Sequence, residues 1–245
     1  MTAASRGDVR VRHHRSGRLD IELHRPERRN ALTVPMVARL AEAIREAQAD
    51  DSVTSVLLYG AGGCFSAGVD LVEMQSDGPA ISAAIEDLHR NLSRLDKPLV
   101  GALERAAVNG AAAVALACDL LVVGERSFLE IGEARMGIAA PNNLRWLLAK
   151  YSPNQALQLT LACERQYGPD LLRRNIAYAV VPDGEVLERA TALAEGIAGY
   201  PANAGAAMKR SIAAGGPGTE VNRPLPRPPA DPLCCRELRR NTEWL

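Results

Sequence analysis

104-ERAAVNGAAAVALACD-119 is the stretch on which the reading of this chain turns. It places Asn109-Gly110 at the start of a run of alanines and ends in Cys118-Asp119. Where Asn-Gly opens an alanine-rich helix, the first N–H groups have no partner within the helix and lie at the positive end of its dipole. The segment alone fits two descriptions. One is a small-residue helix packed on a sheet, and the other is a loop whose N–H groups polarise a developing oxyanion.

The flanks show the setting. Upstream, Pro98 precedes a strand at 99-LVGAL-103, and downstream 120-LLVVG-124 reads as another buried strand. Further back, 18-RLDIELH-24 alternates apolar and polar residues as a half-buried strand does. Thr33 is placed to cap a helix to about Ala49, with Pro35 in its first turn and Val37, Leu40, Ala41 and Ile44 on one face. A β-branched run at 53-VTSVLLY-59 leads into the glycine-rich loop 60-GAGGCFSAGVD-70. Ile81, Ile85, Leu88, Leu92 and Leu95 then recur at helical spacing.

Beyond about residue 140 strand signals nearly vanish. Helices are expected at 143–150, 153–163, 168–174, 184–198 and 203–213, with one short strand at 178-YAVV-181. Residues 215–232 hold six prolines, which excludes a regular helix there, and the segment reads as extended or disordered. The organisation is thus a β/α core over 1–140, a helical region over 141–214 and a proline-rich tail over 215–245.

Composition bounds the function. The 245 residues are 47% hydrophobic and 24% charged, with zero net charge, so no global footprint for nucleic acid or an anionic membrane exists. The basic cluster 10-RVRHHRSGR-18 reads as a solvated, partly frayed terminus, with a polyanion contact as the alternative. The longest apolar stretch, 106–123, is broken by Asn109, Gly110 and Asp119, and no signal-peptide run is seen. Five cysteines without zinc spacing predict no metal and a reduced, cytoplasmic setting.

Two further elements could carry chemistry. The loop 60–70 is neither a P-loop nor a dinucleotide fingerprint; it is a tight turn or a nest of N–H groups facing an anion or a polarised carbonyl. In 133-EARMGI-138 a carboxylate sits between apolar segments, where desolvation would raise its pKa towards that of a general base, although a single Glu is most often simply solvated.

In this order and combination, 25-RPERRNAL-32, 64-CFSAGVDL-71, Lys97-Pro98, 116-LACD-119 and 133-EARMGI-138 resemble the crotonase superfamily, the enoyl-CoA hydratase/isomerase family. The resemblance covers roughly residues 15–215. It implies an α/β fold, a spiral of β-β-α units followed by a C-terminal helical region, and assembly as a homotrimer or dimer of trimers. Val108-Asn109-Gly110 is easily mispaired with the family's Val-Asn-Gly. Anchoring on Lys97-Pro98 and Cys118-Asp119 needs no gap and puts Asn109-Gly110-Ala111 on the oxyanion loop instead.

Carried over residue by residue, Gly110 and Val69 supply the two N–H donors. Ala113 lands on the first of the two catalytic glutamates of hydratases, and Glu133 lands on the second. Arg28, Ala31, Ala67 and Leu71 match CoA-contacting positions, and Lys209 could meet a CoA phosphate. The loop 138-IAAPNNLRW-146 departs from the family's glycine-rich loop, and Asn142 or Asn143 could partner Glu133 there. The tail replaces the helices that usually close the subunit.

With one acid/base instead of two, an enoyl-CoA isomerase is expected over a hydratase. Coenzyme A enters as part of an acyl-CoA substrate, with no other cofactor. The alternatives are a non-catalytic acyl-CoA-binding homologue, or another crotonase reaction such as decarboxylation, thioester hydrolysis or carbon–carbon cleavage.

Overall fold

The computed structural model describes residues 7–214, so the tail 215–245, with Cys234 and Cys235, lies outside the described residues. The chain runs β1 (Asp8–His13), β2 (Arg18–His24), α1 (Val34–Ala49), β3 (Ser55–Gly60), α2 (Leu71–Ser76), α3 (Gly78–Arg94), β4 (Leu99–Leu103), β5 (Ala106–Val108) and α4 (Gly110–Ala117). It continues through β6 (Leu120–Gly124), β7 (Phe128–Glu130), α5 (Pro141–Lys150), α6 (Pro153–Ala162), β8 (Arg165–Tyr167), α7 (Gly168–Arg173), β9 (Ala179–Val181), α8 (Val186–Ala198) and α9 (Ala204–Ala213).

Two sheets result. The larger has the order β1-β2-β3-β4-β6-β9 and the smaller β5-β7-β8. After leaving β4 the chain turns at Arg105, whose φ is 57°, and enters β5 in the other sheet. The step from β6 to β7 repeats this move. As β4 pairs with β6 in parallel, so β5 pairs with β7 in parallel. The β4-β5 and β6-β7 pairs therefore each give one strand to each sheet, as the expected spiral requires.

The large sheet is covered on both faces, as strand periodicity requires. Val56, Leu58, Leu99, Leu103, Leu121 and Val123 face the main core with α1, α3 and α4. The alternate residues Leu57, Val100, Ala102 and Val122 pack on Val186, Ala190, Ala194 and Ile197 of α8. The helical region is not a separate body, since it supplies β8 to one sheet, β9 to the other and α8 as the second cover.

Several short strands escape periodicity. β5, β7 and β8 have three residues each, too few to show a period of two. The basic cluster is not a frayed end. β1 pairs along its whole length with β2, and the buried Arg18 guanidinium reaches Asp20 at 2.8 Å and Glu195 of α8 at 2.6 Å. The expected cap is in place, with Thr33 accepting from the Met36 N–H, and Asp70 caps α2 by accepting from the N–H groups of Val72 and Glu73.

Candidate functional site

The loops of interest follow the C-terminal ends of parallel strands. After β2, Arg25 to Leu32 folds back against the 61–70 loop that follows β3. Asn30, fully buried, stitches the two together: its Oδ1 accepts from the Arg25 N–H, and its Nδ2 donates to the carbonyls of Ala61 and Cys64. Ser66 Oγ donates to Asn30 O at 2.7 Å, and Ala67 N–H donates to Arg29 O. Arg25 and Asp70 add an ion pair at 2.6 Å.

Val69 sits at the centre of this arrangement. Leu32 N–H donates to Gly68 O and Asp70 N–H donates to Leu32 O, so Leu32 engages the residues on either side of Val69. In such a parallel bridge the Val69 N–H points away from Leu32, and it has no acceptor among the described residues. Gly68 holds φ at 98°, and a Cβ there would stand 2.7 Å from the Val108 carbonyl oxygen, so only glycine lets the loop lie this close to β5.

Gly110 opens α4, where the N–H has no acceptor within the helix. Asn109 before it takes φ 52° and ψ −113°, which turns the chain sharply into the helix. A Cβ on Gly110 would meet Val69 Cγ2 at 3.0 Å, which places the two residues side by side. At the other end of α4, Lys150 Nζ donates to the carbonyls of Leu116, Ala117 and Cys118, a cation on the negative end of the dipole.

Glu133 follows β7 and is only 8% exposed. Oε1 accepts from Asn143 Nδ2 at 2.8 Å, while Oε2 is closed to solvent and has no partner. Burial pushes this carboxyl above the usual glutamate range; its own backbone N–H and Asn143 oppose the rise without cancelling it. Asn143, also fully buried, donates from the same Nδ2 to Asn109 O at 3.1 Å. Asn109 in turn accepts at Oδ1 from the Gly132 N–H at 2.7 Å and donates its own N–H to Glu130 O. The loop bearing Gly110 and the segment bearing Glu133 are thus one hydrogen-bonded unit. Of the two asparagines expected beside Glu133, Asn143 is the partner found.

Ala113 is fully buried among the other alanines of α4. Arg28 and Ala67 are exposed, Ala31 is half-buried, and Leu71 is 68% exposed at the start of α2. Lys209 stands apart from these residues. Its ammonium donates to Lys97 O and to Asp119 Oδ2, at the N-terminal ends of β4 and β6. The eight residues of α4 separate that end from Gly110, about 12 Å at 1.5 Å per residue. Within one chain, therefore, Lys209 stands at the other end of α4 from Gly110, where Asp119 is its carboxylate partner.

Two clefts open elsewhere. One of about 390 Å³ includes Asp119, Lys150, Tyr178 and Lys209, and one of about 440 Å³ includes Gly63, Glu104, Arg105 and Asp183. Neither is lined by Val69, Gly110 or Glu133. Among the described residues no group of three or more His, Cys, Asp or Glu could hold a metal, and no helix is long and apolar enough to cross a membrane.

Sequence patterning missed Arg25, Asn30 and the side chain of Asn109. The available signal was conformational, since Asn30 and Asn109 both hold positive φ, and asparagine tolerates that region better than most residues.

Residues 14–221 match the family described as Enoyl-CoA hydratase/isomerase. A probable enoyl-CoA hydratase of Mycobacterium bovis is 36% identical over 60% of this chain and 60% of its own length, so the chain spans under two thirds of that relative. A putative enoyl-CoA hydratase of Thermus thermophilus is 32% identical over 72% of each chain. The 1,2-epoxyphenylacetyl-CoA isomerase of Escherichia coli is 28% identical over 82% of this chain and 80% of its own. Among solved structures, OdaA of Pseudomonas aeruginosa superposes with a TM-score of 0.78 at 28% identity, covering 84% of each chain.

Proposed function

The chain belongs to the enoyl-CoA hydratase/isomerase family, and from that premise we propose that it shifts the double bond of an enoyl-CoA thioester through an enolate. The Val69 and Gly110 N–H groups hold the thioester oxygen, and Glu133 carries the proton. The carboxylate takes a proton from C2 of a 3-enoyl thioester, and the electron pair moves onto the oxygen between the two donors. The same proton is then delivered to C4, which leaves the double bond between C2 and C3. The arrangement is preorganised for charge that exists only in the intermediate, which is where donors lower a barrier most.

One observation favours isomerisation over hydration. Glu133 is the buried carboxylate beside this loop, while position 113, where a second would stand, is a fully buried alanine. Adding water calls for one group to orient it and another to protonate the adjacent carbon, whereas moving one proton between two carbons calls for a single base. Arg28, Ala31, Ala67 and Leu71 are assigned to the CoA moiety, which brings them to the rim of the same loops. A homo-oligomer and a cytoplasmic location complete the reading.

The test is purified protein with 3-enoyl-CoA and 2-enoyl-CoA of matched chain length. Interconversion that Glu133→Gln abolishes supports the assignment, and activity untouched by that substitution overturns it. The sealed Oε2 of Glu133 favours a second reading, an acyl-CoA-binding protein without turnover. Tight binding with no reaction across a panel of thioesters would establish it.

A further inference from the structure

Asn143 is not accounted for by the roles assigned above, yet it makes the contacts that join them. Its Nδ2 donates both to Asn109 O at 3.1 Å and to Glu133 Oε1 at 2.8 Å. Two acceptors on one nitrogen fix the orientation of the amide, because a flipped amide would set oxygen against oxygen twice. Oδ1 is therefore an acceptor in the folded protein, and it has no donor; Glu133 Oε2 is equally without one. Two buried acceptors left bare on neighbouring side chains is a costly arrangement that native proteins seldom keep without a use. One proton on Oε2, donated to Oδ1, would satisfy both atoms at once.

From this geometry, and resting on the function proposed above, we infer that Asn143 is the positioning residue of Glu133 in both of its protonation states. Its Nδ2–H holds Oε1 of the carboxylate before the reaction, and its Oδ1 accepts from Oε2–H while the proton is in transit. No charge changes on Asn143. The proton leaves C2, rests on Oε2 against Oδ1, and goes on to C4. Because the same Nδ2 is tied to the carbonyl of Asn109, the residue before Gly110, Asn143 also sets the distance from the base to one of the two N–H donors. No charged side chain among the described residues takes part in holding this carboxyl; burial, its own N–H and Asn143 are the influences on it.

The test uses the full chain with Asn143→Leu, which removes donor and acceptor at similar size, and Asn143→Asp, which keeps acceptors and removes the donor. Glu133 is followed by its side-chain carboxyl carbon in a ¹³C NMR titration without substrate, with Glu133→Gln to assign the signal. Binding of a non-reactive acyl-CoA is measured separately from turnover. A bond to a charged group is stronger than a neutral one, so loss of the Nδ2 donor outweighs loss of Oδ1. The Glu133 midpoint is expected to rise in both variants, by about one pH unit in the Leu protein and further in the Asp protein. Turnover should fall about ten- to a hundredfold while acyl-CoA affinity changes by less than about threefold.

An unmoved midpoint overturns the inference, as does affinity that falls as far as turnover, which is what a purely structural role would give. Should the Leu protein fail to fold, the Asp protein carries the same readouts. A wild-type protein inert towards every thioester would overturn the functional reading alone, and the titration would still decide the role of Asn143. Wild-type turnover that both variants retain would overturn the role of Asn143 and leave the functional reading standing.

Discussion

Arg25 Nη1 lies 2.6 Å from Asp70 Oδ2, with both side chains nearly closed to solvent, so one ion pair clamps the loop after β2 onto the loop that carries Val69. Asp70 also caps α2. Asp70→Asn keeps a good cap and removes only the counter-charge. Removing the counter-charge from this buried guanidinium should cost about 3–5 kcal/mol, measured by urea unfolding. A loss under about 1 kcal/mol would show the clamp to be dispensable. Burial raises the Asp70 carboxyl, but the bonds from Arg25 and from the N–H groups of Val72 and Glu73 outweigh it and hold the group below its usual 3.8. The folded value is depressed, so this stabilisation is present above the unfolded value and lost as pH falls through the folded one. The gap between wild type and Asp70→Asn should close over that acid range.

For Glu133 the sign is opposite. Burial raises its carboxyl above the ordinary 4.5, so between that value and the raised one the folded state binds more protons than the unfolded chain. Stability contributed at this position therefore falls as pH rises through that window. Glu133→Gln should melt higher than wild type at neutral pH and match it below about 4.5. An unchanged difference across the whole range would show that the carboxyl is not held in a buried state.

The same shift sets the activity profile. A base must be ionised to take a proton, so turnover per KM should climb with pH through the raised Glu133 value, above the range of an exposed glutamate. Glu133→Gln should abolish this limb and reduce turnover by about 10²–10⁴-fold, measured by the conversion of 3-enoyl-CoA.

Gly110→Ala tests the pair of N–H donors. The added Cβ would press on Val69 Cγ2 at 3.0 Å and displace the neighbouring loop by a few tenths of an ångström. Folding should be little affected, because alanine suits a helix better than glycine. Turnover should fall by about ten- to a hundredfold, since small misplacements at a reacting centre are costly. Full activity in this variant would separate Gly110 from the chemistry.

Ala113→Glu asks whether the missing acid can simply be put back. Ala113 is fully buried in a helix whose neighbours are all core residues. The longer side chain overpacks the core, at about 1–3 kcal/mol, and buries a carboxyl without a partner besides. The expected result is a destabilised protein with no new hydration of 2-enoyl-CoA; a stable variant that hydrates it would show the position to open onto the substrate.

The order of loops, the ungapped spacing from Asp119 to Glu133 and the alternation of the large sheet were legible in the amino-acid sequence. Each depends on neighbours along the chain and on a strand or helix period that the residues themselves display. The sequence by itself thus determined the family and the β-β-α spiral, and it singled out Glu133 as the carboxylate to test. It could not show that Lys209 pairs with Asp119, that the helical region completes both sheets, that Arg25, Asn30 and Asn109 tie the site together, or which of Asn142 and Asn143 reaches Glu133. Those are contacts between groups apart in the chain; Lys209 and Asp119, for example, are 90 residues apart. No local period encodes them. Only tertiary packing decides which buried polar group meets which, because only there does each lose its water and have to find a substitute.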